Sequence, residues 1–287
     1  IKGGRSERAS VRLYRWADGG RALELVHVTP IEGEAPVRAL LAFNGLLLAA
    51  AGAGLALYDV GKRRLLRKAA APNVAPHVIC ALSAHPTHPA ERVLVADVHA
   101  SVLLVAFSPA ARSFSVITSD SVPRHITALA PLDDGATVVG GDKFGSLFVL
   151  RSKDGAGKWR AEAEFHVGDI VTSLNVCALA PHARSVILYT TLLGAVYVAV
   201  PMVSQSDVNF FLSLESAMRE IAPSLSGRDH LAYRSSFVPV KSVVDGDLCE
   251  AFLMLDEETM ERVSDKVDRS VQDIVKKMED MRSIYGF

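Results

Sequence analysis

Residues 92–107 read RVLVADVHASVLLVAF, two apolar runs of six residues on either side of a four-residue turn. Runs this short, rich in Val and Leu, fit strands of a buried hairpin better than a helix. The same unit recurs along the chain. LLLAAA (46–51), Gly52-Ala53-Gly54 and LALYDV (55–60) repeat it, as do TVVGGD (137–142), Lys143-Phe144-Gly145 and SLFVLR (146–151). VILYTT (186–191), Leu192-Leu193-Gly194 and AVYVAV (195–200) are a further copy. With VRLYRW at 11–16, the runs that follow the turn start 44 to 49 residues apart.

Another strand precedes each hairpin: VRALLAF (37–43), HVICALSA (77–84), RHITALAPL (124–132) and IVTSLNVCALA (170–180). A more polar fourth strand follows, as in RSFSVITSD (112–120) and WRAEAEFHVG (159–168). Four short antiparallel strands every 40 to 50 residues are a β-propeller blade. Inner strands covered by neighbouring blades read as continuous apolar runs, and a half-solvated outer strand alternates. No Trp-Asp dipeptide is present; Tyr58-Asp59 ends a strand where one could stand.

The predicted units are two strands in 10–29, then blades over 37–70, 77–119, 124–167 and 170–203. A closed seven-blade ring needs roughly 300 residues, so the expected propeller is incomplete in this chain. The start at Ile1 suggests numbering from within a longer protein. After Pro201 the period changes to helical. Phe210, Phe211, Leu214, Met218 and Ile221 form a stripe with Ser206 or Asp207 as cap and Pro223 as stop. Asp245 is placed to cap DGDLCEAFLML (245–255), and Met260, Val263 and Val267 mark a further helix. Ser270 with Asp273 resembles a capping box before a stripe of Val271, Ile274, Val275, Met278, Met281 and Ile284 or Tyr285. The expected fold is mainly β, with propeller blades over 1–203 and an α-helical domain over 204–287.

Composition agrees with a folded, non-membrane chain. Of 287 residues, 49% are hydrophobic and 22% charged, far from the balance of a disordered chain. The 31 basic and 32 acidic groups nearly cancel, which argues against a strongly basic nucleic-acid binder. The neutral total hides a basic beginning and an acidic tail. Cys80, Cys177 and Cys249 form no CxxC pair and no disulfide framework, as in a reducing compartment. Residues 39–58 carry no charge over twenty positions. Asn44-Gly45 and Gly52-Ala53-Gly54 cut them into strand-length pieces, so no membrane span is read there. A strand follows Gly52-Ala53-Gly54, not the helix that a dinucleotide site needs.

The catalytic and metal-ligand patterns in the sequence each have a plainer local reading. His85 and His88 have an HxxH spacing with Asp97 and His99 nearby, but Pro86 and Pro89 put the pair in a turn. Arg228-Asp229-His230 has no nucleophile close in sequence. Ser119-Asp120 and Asp133-Asp134-Gly135 read as turns. Walker, GxSxG and HExxH motifs are absent. No enzyme activity, cofactor or metal is expected. Lys62, Arg63, Arg64, Arg67 and Lys68 form a basic stretch that could contact phosphates. No aromatic residue interleaves it to stack bases, so an exposed outer strand with its turn is preferred.

A resemblance extends these readings. Gly227-Arg228-Asp229-His230-Leu231, Tyr233-Arg234-Ser235, Pro239-Val240-Lys241 and Val244-Asp245-Gly246-Asp247-Leu248-Cys249-Glu250 resemble the C-terminal end of the splicing factor 3b subunit 3 family. These are large propeller subunits of the U2 small nuclear ribonucleoprotein. Tyr58-Asp59-Val60-Gly61-Lys62, Leu65-Leu66-Arg67-Lys68, Pro123-Arg124, Gly141-Asp142-Lys143-Phe144-Gly145, Phe165-His166-Val167-Gly168, Tyr189-Thr190-Thr191-Leu192 and Tyr285-Gly286-Phe287 match in order. Asp245-Gly246-Asp247-Leu248 is similar in the large subunits of UV-damaged-DNA-binding protein and of cleavage and polyadenylation specificity factor. Gly141 to Gly145 and Gly227 to His230 look like the splicing branch. The departures are a shorter stretch after Arg151 and an enrichment in alanine.

The resemblance implies three propellers and a C-terminal helical domain, with this chain holding most of the third propeller and that domain. It implies a nuclear, non-catalytic scaffold in pre-mRNA splicing and branch-site recognition. The implied partners are the HEAT-repeat large subunit of splicing factor 3b, a PHD-finger-like subunit, a small helical subunit and the remaining propellers of its own chain. The alternative is an RNA- or DNA-binding propeller like those of the polyadenylation and UV-damage factors. Gly227, Arg228, Asp229, His230, Asp245, Gly246 and Asp247 are expected to lock the propeller to the helical tail or to meet a partner. In the lock, Arg228 would pair with an acid, Asp245 would cap a helix, and Gly227 and Gly246 would turn the backbone where a side chain would clash.

Overall fold

The computed structural model describes residues 9–31, 35–152, 157–221 and 241–287. It shows a mainly β chain of propeller blades followed by helices. The strands are β1 (Ser10–Ala17) and β2 (Ala22–Pro30); β3 (Val37–Phe43), β4 (Leu46–Ala51), β5 (Gly54–Val60) and β6 (Leu65–Ala71); β7 (Ile79–Ala84), β8 (Arg92–Asp97), β9 (Val102–Ser108) and β10 (Ser113–Ser119). They continue as β11 (Ile126–Pro131), β12 (Thr137–Asp142), β13 (Ser146–Arg151) and β14 (Arg160–His166), then β15 (Val171–Ala178), β16 (Ser185–Thr191) and β17 (Val196–Ala199). Each sheet runs in sequence order: β1-β2, β3-β4-β5-β6, β7-β8-β9-β10, β11-β12-β13-β14 and β15-β16-β17. Among the described residues, the first and last sheets have fewer than the four strands of a blade.

The chain packs as two compact units, residues 1–143 with 150–160 and residues 144–149 with 161–287. In the first unit, Asn44 and Gly45 both take positive φ, 50° and 71°, as a tight hairpin between twisted strands requires. The facing sides of the second and third sheets bury Phe43, Leu48, Leu57, Ile79, Val93, Val95 and Phe107. Phe43 meets Phe107 edge-to-face at 6.0 Å. Each such side chain contributes about 1.5–3 kcal/mol by leaving water. Burial is most continuous in the middle strands, as in β8, β9 and β12. First strands β3, β7 and β11 contact one another in turn, and β3 and β11 alternate in burial. The sequence expectation of continuous burial thus holds one strand further out.

One irregularity repeats. The pairing of first with second strand skips a residue at Arg38, Cys80, Thr127 and Thr172. These are β-bulges, which sharpen local twist. At three of them the extra residue's side chain donates back to a second-strand carbonyl. Cys80 Sγ donates to Ala96, Thr127 Oγ1 to Gly141 and Thr172 Oγ1 to Thr190. The Cys80 thiol also donates to the Ile126 carbonyl on β11. Burial pushes its pKa up to about 11, so it behaves as a structural donor and not as a nucleophile.

In the second unit, helices α1 (Gln205–Ile221), α2 (Gly246–Glu250), α3 (Glu257–Val267) and α4 (Val271–Tyr285) follow the strands. Their core is Phe211, Leu214, Met218, Cys249, Phe252, Val263, Ile274 and Met278, the stripes read from helical spacing together with α2. The start of α1 differs from the expectation. Ser204, not Ser206 or Asp207, offers the carbonyl that accepts the Asp207 and Val208 N–H groups. The helix therefore opens about half a turn early, and Ser206 lies inside its first turn. Pro223 lies outside the described residues. Ser270 caps α4 through the Asp273 N–H, and its hydroxyl donates to the Asp273 carboxylate.

Candidate interaction surfaces

The basic stretch 62–68 is a turn and an edge strand. Gly61 N–H donates to the Arg64 carbonyl, so Lys62, Arg63 and Arg64 stand exposed on the β5–β6 turn. Arg67 pairs in register with Tyr58. Lys68 Nζ lies 3.0 Å from Asp59 Oδ2, and Leu65 turns inward. At least one of the five cations is thus matched by an acid on the neighbouring strand. Leu66, Arg67 and Lys68 are exposed together between buried Leu65 and Ala69, so the strand does not alternate.

The expected lock residues fall in two places. Gly227, Arg228, Asp229 and His230 lie outside the described residues. Asp245 is buried and caps α2: its Oδ1 accepts the Leu248 N–H at 3.1 Å. Asp247 and Gly246 are exposed in the first turn. The expectation for Gly246 does not hold. Its φ is not positive, and a Cβ there would meet nothing within 4 Å. The Asp245 carboxylate caps the turn through the Leu248 N–H.

Further contacts hold the helical tail together and tie it to strands of the second unit. Glu164 on β14 and Lys241 exchange both backbone hydrogen bonds, at 3.1 and 2.9 Å. The Tyr285 hydroxyl donates to the Pro201 carbonyl at 2.6 Å and the Arg184 N–H to the Ile284 carbonyl. Gly286 ends α4 at φ 81° against the β15–β16 loop, where a Cβ would come 2.8 Å from Ala180 Cβ. Arg282 forms a two-point pair with Glu250. The carboxylate raises the pKa of the guanidinium, although solvent screens the pair.

Loop-end carboxylates organise the turns of the sheets. Asp97 is fully buried at the end of β8. Its Oδ2 accepts the His77 N–H, and its Oδ1 accepts those of His99 and Ala100. Asp120 accepts the Ser101 hydroxyl and the Arg124 guanidinium. Asp169 accepts the Leu193 and Ile170 N–H groups, and Leu193 is held 86% exposed at the tip of its turn. The Thr191 hydroxyl and these N–H groups hold the Asp169 carboxyl below the usual range. In the sequence Asp97 ends RVLVAD and Asp120 ends RSFSVITSD, whereas Asp169 ends no strand run. His85 and His88 share the hydroxyl of Thr87. Among the described residues no three metal-ligating side chains converge, and no helix is long and apolar enough to cross a membrane.

The profile of the family described as CPSF A subunit region matches residues 3–254. The chain belongs to that family. As a CPSF A subunit region protein it is similar to several curated relatives. It is 38% identical over 299 residues to the probable splicing factor 3B subunit 3 of Dictyostelium discoideum, covering 96% of this chain and 23% of that protein. It is 38% identical to the pre-mRNA-splicing factor rse1 of Emericella nidulans, covering 95% of this chain and 24% of the relative. The pre-mRNA-splicing factor prp12 of Schizosaccharomyces pombe is 38% identical, with 94% and 24% covered. The chain spans about a quarter of the length of these relatives. The family and the relatives agree with the resemblance read from the motifs.

Proposed function

We propose that this chain is a non-catalytic scaffold of the splicing factor 3b complex in the U2 small nuclear ribonucleoprotein, acting in the nucleus in pre-mRNA splicing and branch-site recognition. The observation that carries the reading is identity of 38% across nearly the whole chain to proteins named as splicing factors. In this reading, blades to about residue 203 present loops and edges, and the helical domain from 204 meets the HEAT-repeat large subunit, the PHD-finger-like subunit and the small helical subunit. The exposed turns and edge strands support binding through surfaces.

Affinity purification of the tagged protein from nuclear extract tests the proposal. It should recover a HEAT-repeat subunit and U2 RNA together. Recovery of neither overturns it. Direct RNA binding through Lys62, Arg63, Arg64, Arg67 and Lys68 is the rival. Filter binding of the purified protein over a salt series decides it, since tight binding with a steep negative salt slope is the mark of phosphate contacts.

A further inference from the structure

We propose that His99 and His125 form a two-imidazole site for an exchangeable divalent cation of the late transition series, Zn²⁺, Ni²⁺ or Cu²⁺.

His99 lies on the β8–β9 turn and His125 directly before β11, 26 positions away. Their Nδ1 atoms face each other at 3.1 Å. The rings stand at 90° with centroids 5.1 Å apart. A metal bonded to two imidazoles at about 2.0–2.1 Å holds the nitrogens roughly 2.8–3.4 Å apart, from square to tetrahedral angles. The observed separation falls inside that range, so an ion can take both nitrogens with little movement of either ring. Without an ion, the two nitrogens share one Nδ1 proton in a hydrogen bond. On binding, that proton moves through water to Nε2 of the same ring. Both Nδ1 lone pairs are then free for the metal, and no net charge is lost.

The backbone holds both residues in place. Asp97 is fully buried, and its Oδ1 accepts the His99 N–H at 2.8 Å. The Arg124 N–H donates to the Ala100 carbonyl at 2.6 Å, and the His125 carbonyl accepts the Lys143 N–H. Arg124 and Asp120 pair at 3.0 Å with side chains 11% and 3% exposed. These bonds tie the β8–β9 turn to the run before β11, so the facing geometry is set in advance of the ion. His125 itself sits at φ 45°, in the left-handed region that a residue with a Cβ seldom takes. Such a conformation persists only where the surroundings fix it.

The neighbours define what the site takes. His77 packs edge-to-face on His99 at 5.5 Å, with its own Nδ1 turned to Asp97 Oδ1 at 3.4 Å. Among the described residues no third ligand converges, so water completes the coordination and the ion exchanges. His99 is exposed and His125 half-buried, which leaves the pair open to solvent. The Asp97 carboxylate under the turn favours a cation above it. Imidazole suits Zn²⁺, Ni²⁺ and Cu²⁺, whereas Mg²⁺ and Ca²⁺ prefer oxygen ligands.

Calorimetric titration of the full chain with Ni²⁺ in a non-chelating buffer tests it. One equivalent should bind saturably, and excess Mg²⁺ should not compete. His99→Ala and His125→Ala should each weaken binding at least about tenfold, since even the outer partners of metal ligands are worth that much. His88→Ala, at the other close histidine pair, should leave it unchanged. Absence of saturable binding, or an unchanged affinity in either His99→Ala or His125→Ala, overturns the site. If the variants do not fold, Zn²⁺ added to the wild type supplies the second readout. The imidazole Cε1–H resonances of His99 and His125 should shift together and stop at one equivalent. Shifts at His85 and His88 with this pair unmoved also overturn it.

Discussion

Glu164 on β14 and Lys241 pair backbone to backbone, 77 positions apart in the chain, by the two hydrogen bonds of an antiparallel bridge. This bridge satisfies groups that an edge strand otherwise leaves open. It also fixes the position of Lys241 ahead of α2. Lys241→Pro removes one donor and should cost about 1 kcal/mol. Limited proteolysis should then release the segment carrying α2 to α4 faster than in the wild type. Equal cleavage rates would show that the bridge does not hold the tail.

Gly286→Ala introduces a methyl group 2.8 Å from Ala180 Cβ and 3.1 Å from Ala183 Cβ, on a backbone with φ 81°. Overpacking costs typically about 1–3 kcal/mol, and the left-handed conformation adds about 1 kcal/mol for a residue with a Cβ. A lower midpoint of urea unfolding is expected. The Gly286 N–H bond to the Arg282 carbonyl should loosen with it.

Two substitutions side by side separate capping from steric relief at α2. Asp245→Ala removes the acceptor of the Leu248 N–H and should destabilise by about 1 kcal/mol. Gly246→Ala enters open space at an ordinary φ and should be neutral or stabilising by up to about 1 kcal/mol. Thermal melts of both proteins check the order. A costly Gly246→Ala with a silent Asp245→Ala would contradict this account.

Acid sensitivity has a defined origin at the β11–β12 turn. Burial alone would raise the pKa of Asp134. The Thr137 hydroxyl and the Ala136 and Thr137 N–H groups outweigh it, and the net shift is downward. The stabilisation is present above the unfolded carboxyl value, about 3.9, and is lost as pH falls through the lower folded value. Asp134→Asn should flatten the stability profile between about pH 4 and pH 2, read as urea midpoints across that range. An unchanged slope would place the acid sensitivity elsewhere.

Lys68→Ala should change stability little. Its pairing with Asp59 is about 40% exposed on both sides, and surface pairs are worth about 0–1 kcal/mol. Combined with Lys62→Ala, Arg63→Ala and Arg64→Ala, it should leave RNA retention on filters unchanged if the edge is only solvated. A loss of retention with a shallower salt slope would support the rival reading.

The strands were legible because each blade carries its own apolar runs, and Asn44-Gly45, Asp245 and Ser270 announce a turn and two caps locally. The missed features depend on partners distant in sequence. A bulge at Cys80, Thr127 or Thr172 is a property of register between two strands, and Cys, Thr and Arg share no pattern that marks it. Asp97 reads as a strand-end acid, while its use by both His77 and His99 needs two loops in place. The Glu164–Lys241 bridge has no local signature at all. The start of α1 was misplaced because Ser204 and Ser206 are equally good caps on composition.

The sequential order of the sheets has a consequence for how the protein is made. In β3-β4-β5-β6 and β7-β8-β9-β10 every strand pairs only with its neighbour along the chain. Contacts closed over short loops form fast, so each sheet can assemble when its last strand leaves the ribosome. Its Val- and Leu-rich middle strands then wait for the flank of the next sheet to cover them. The vulnerable moments of synthesis are therefore the intervals between blades. A pause placed there would expose the same apolar faces that the finished molecule buries.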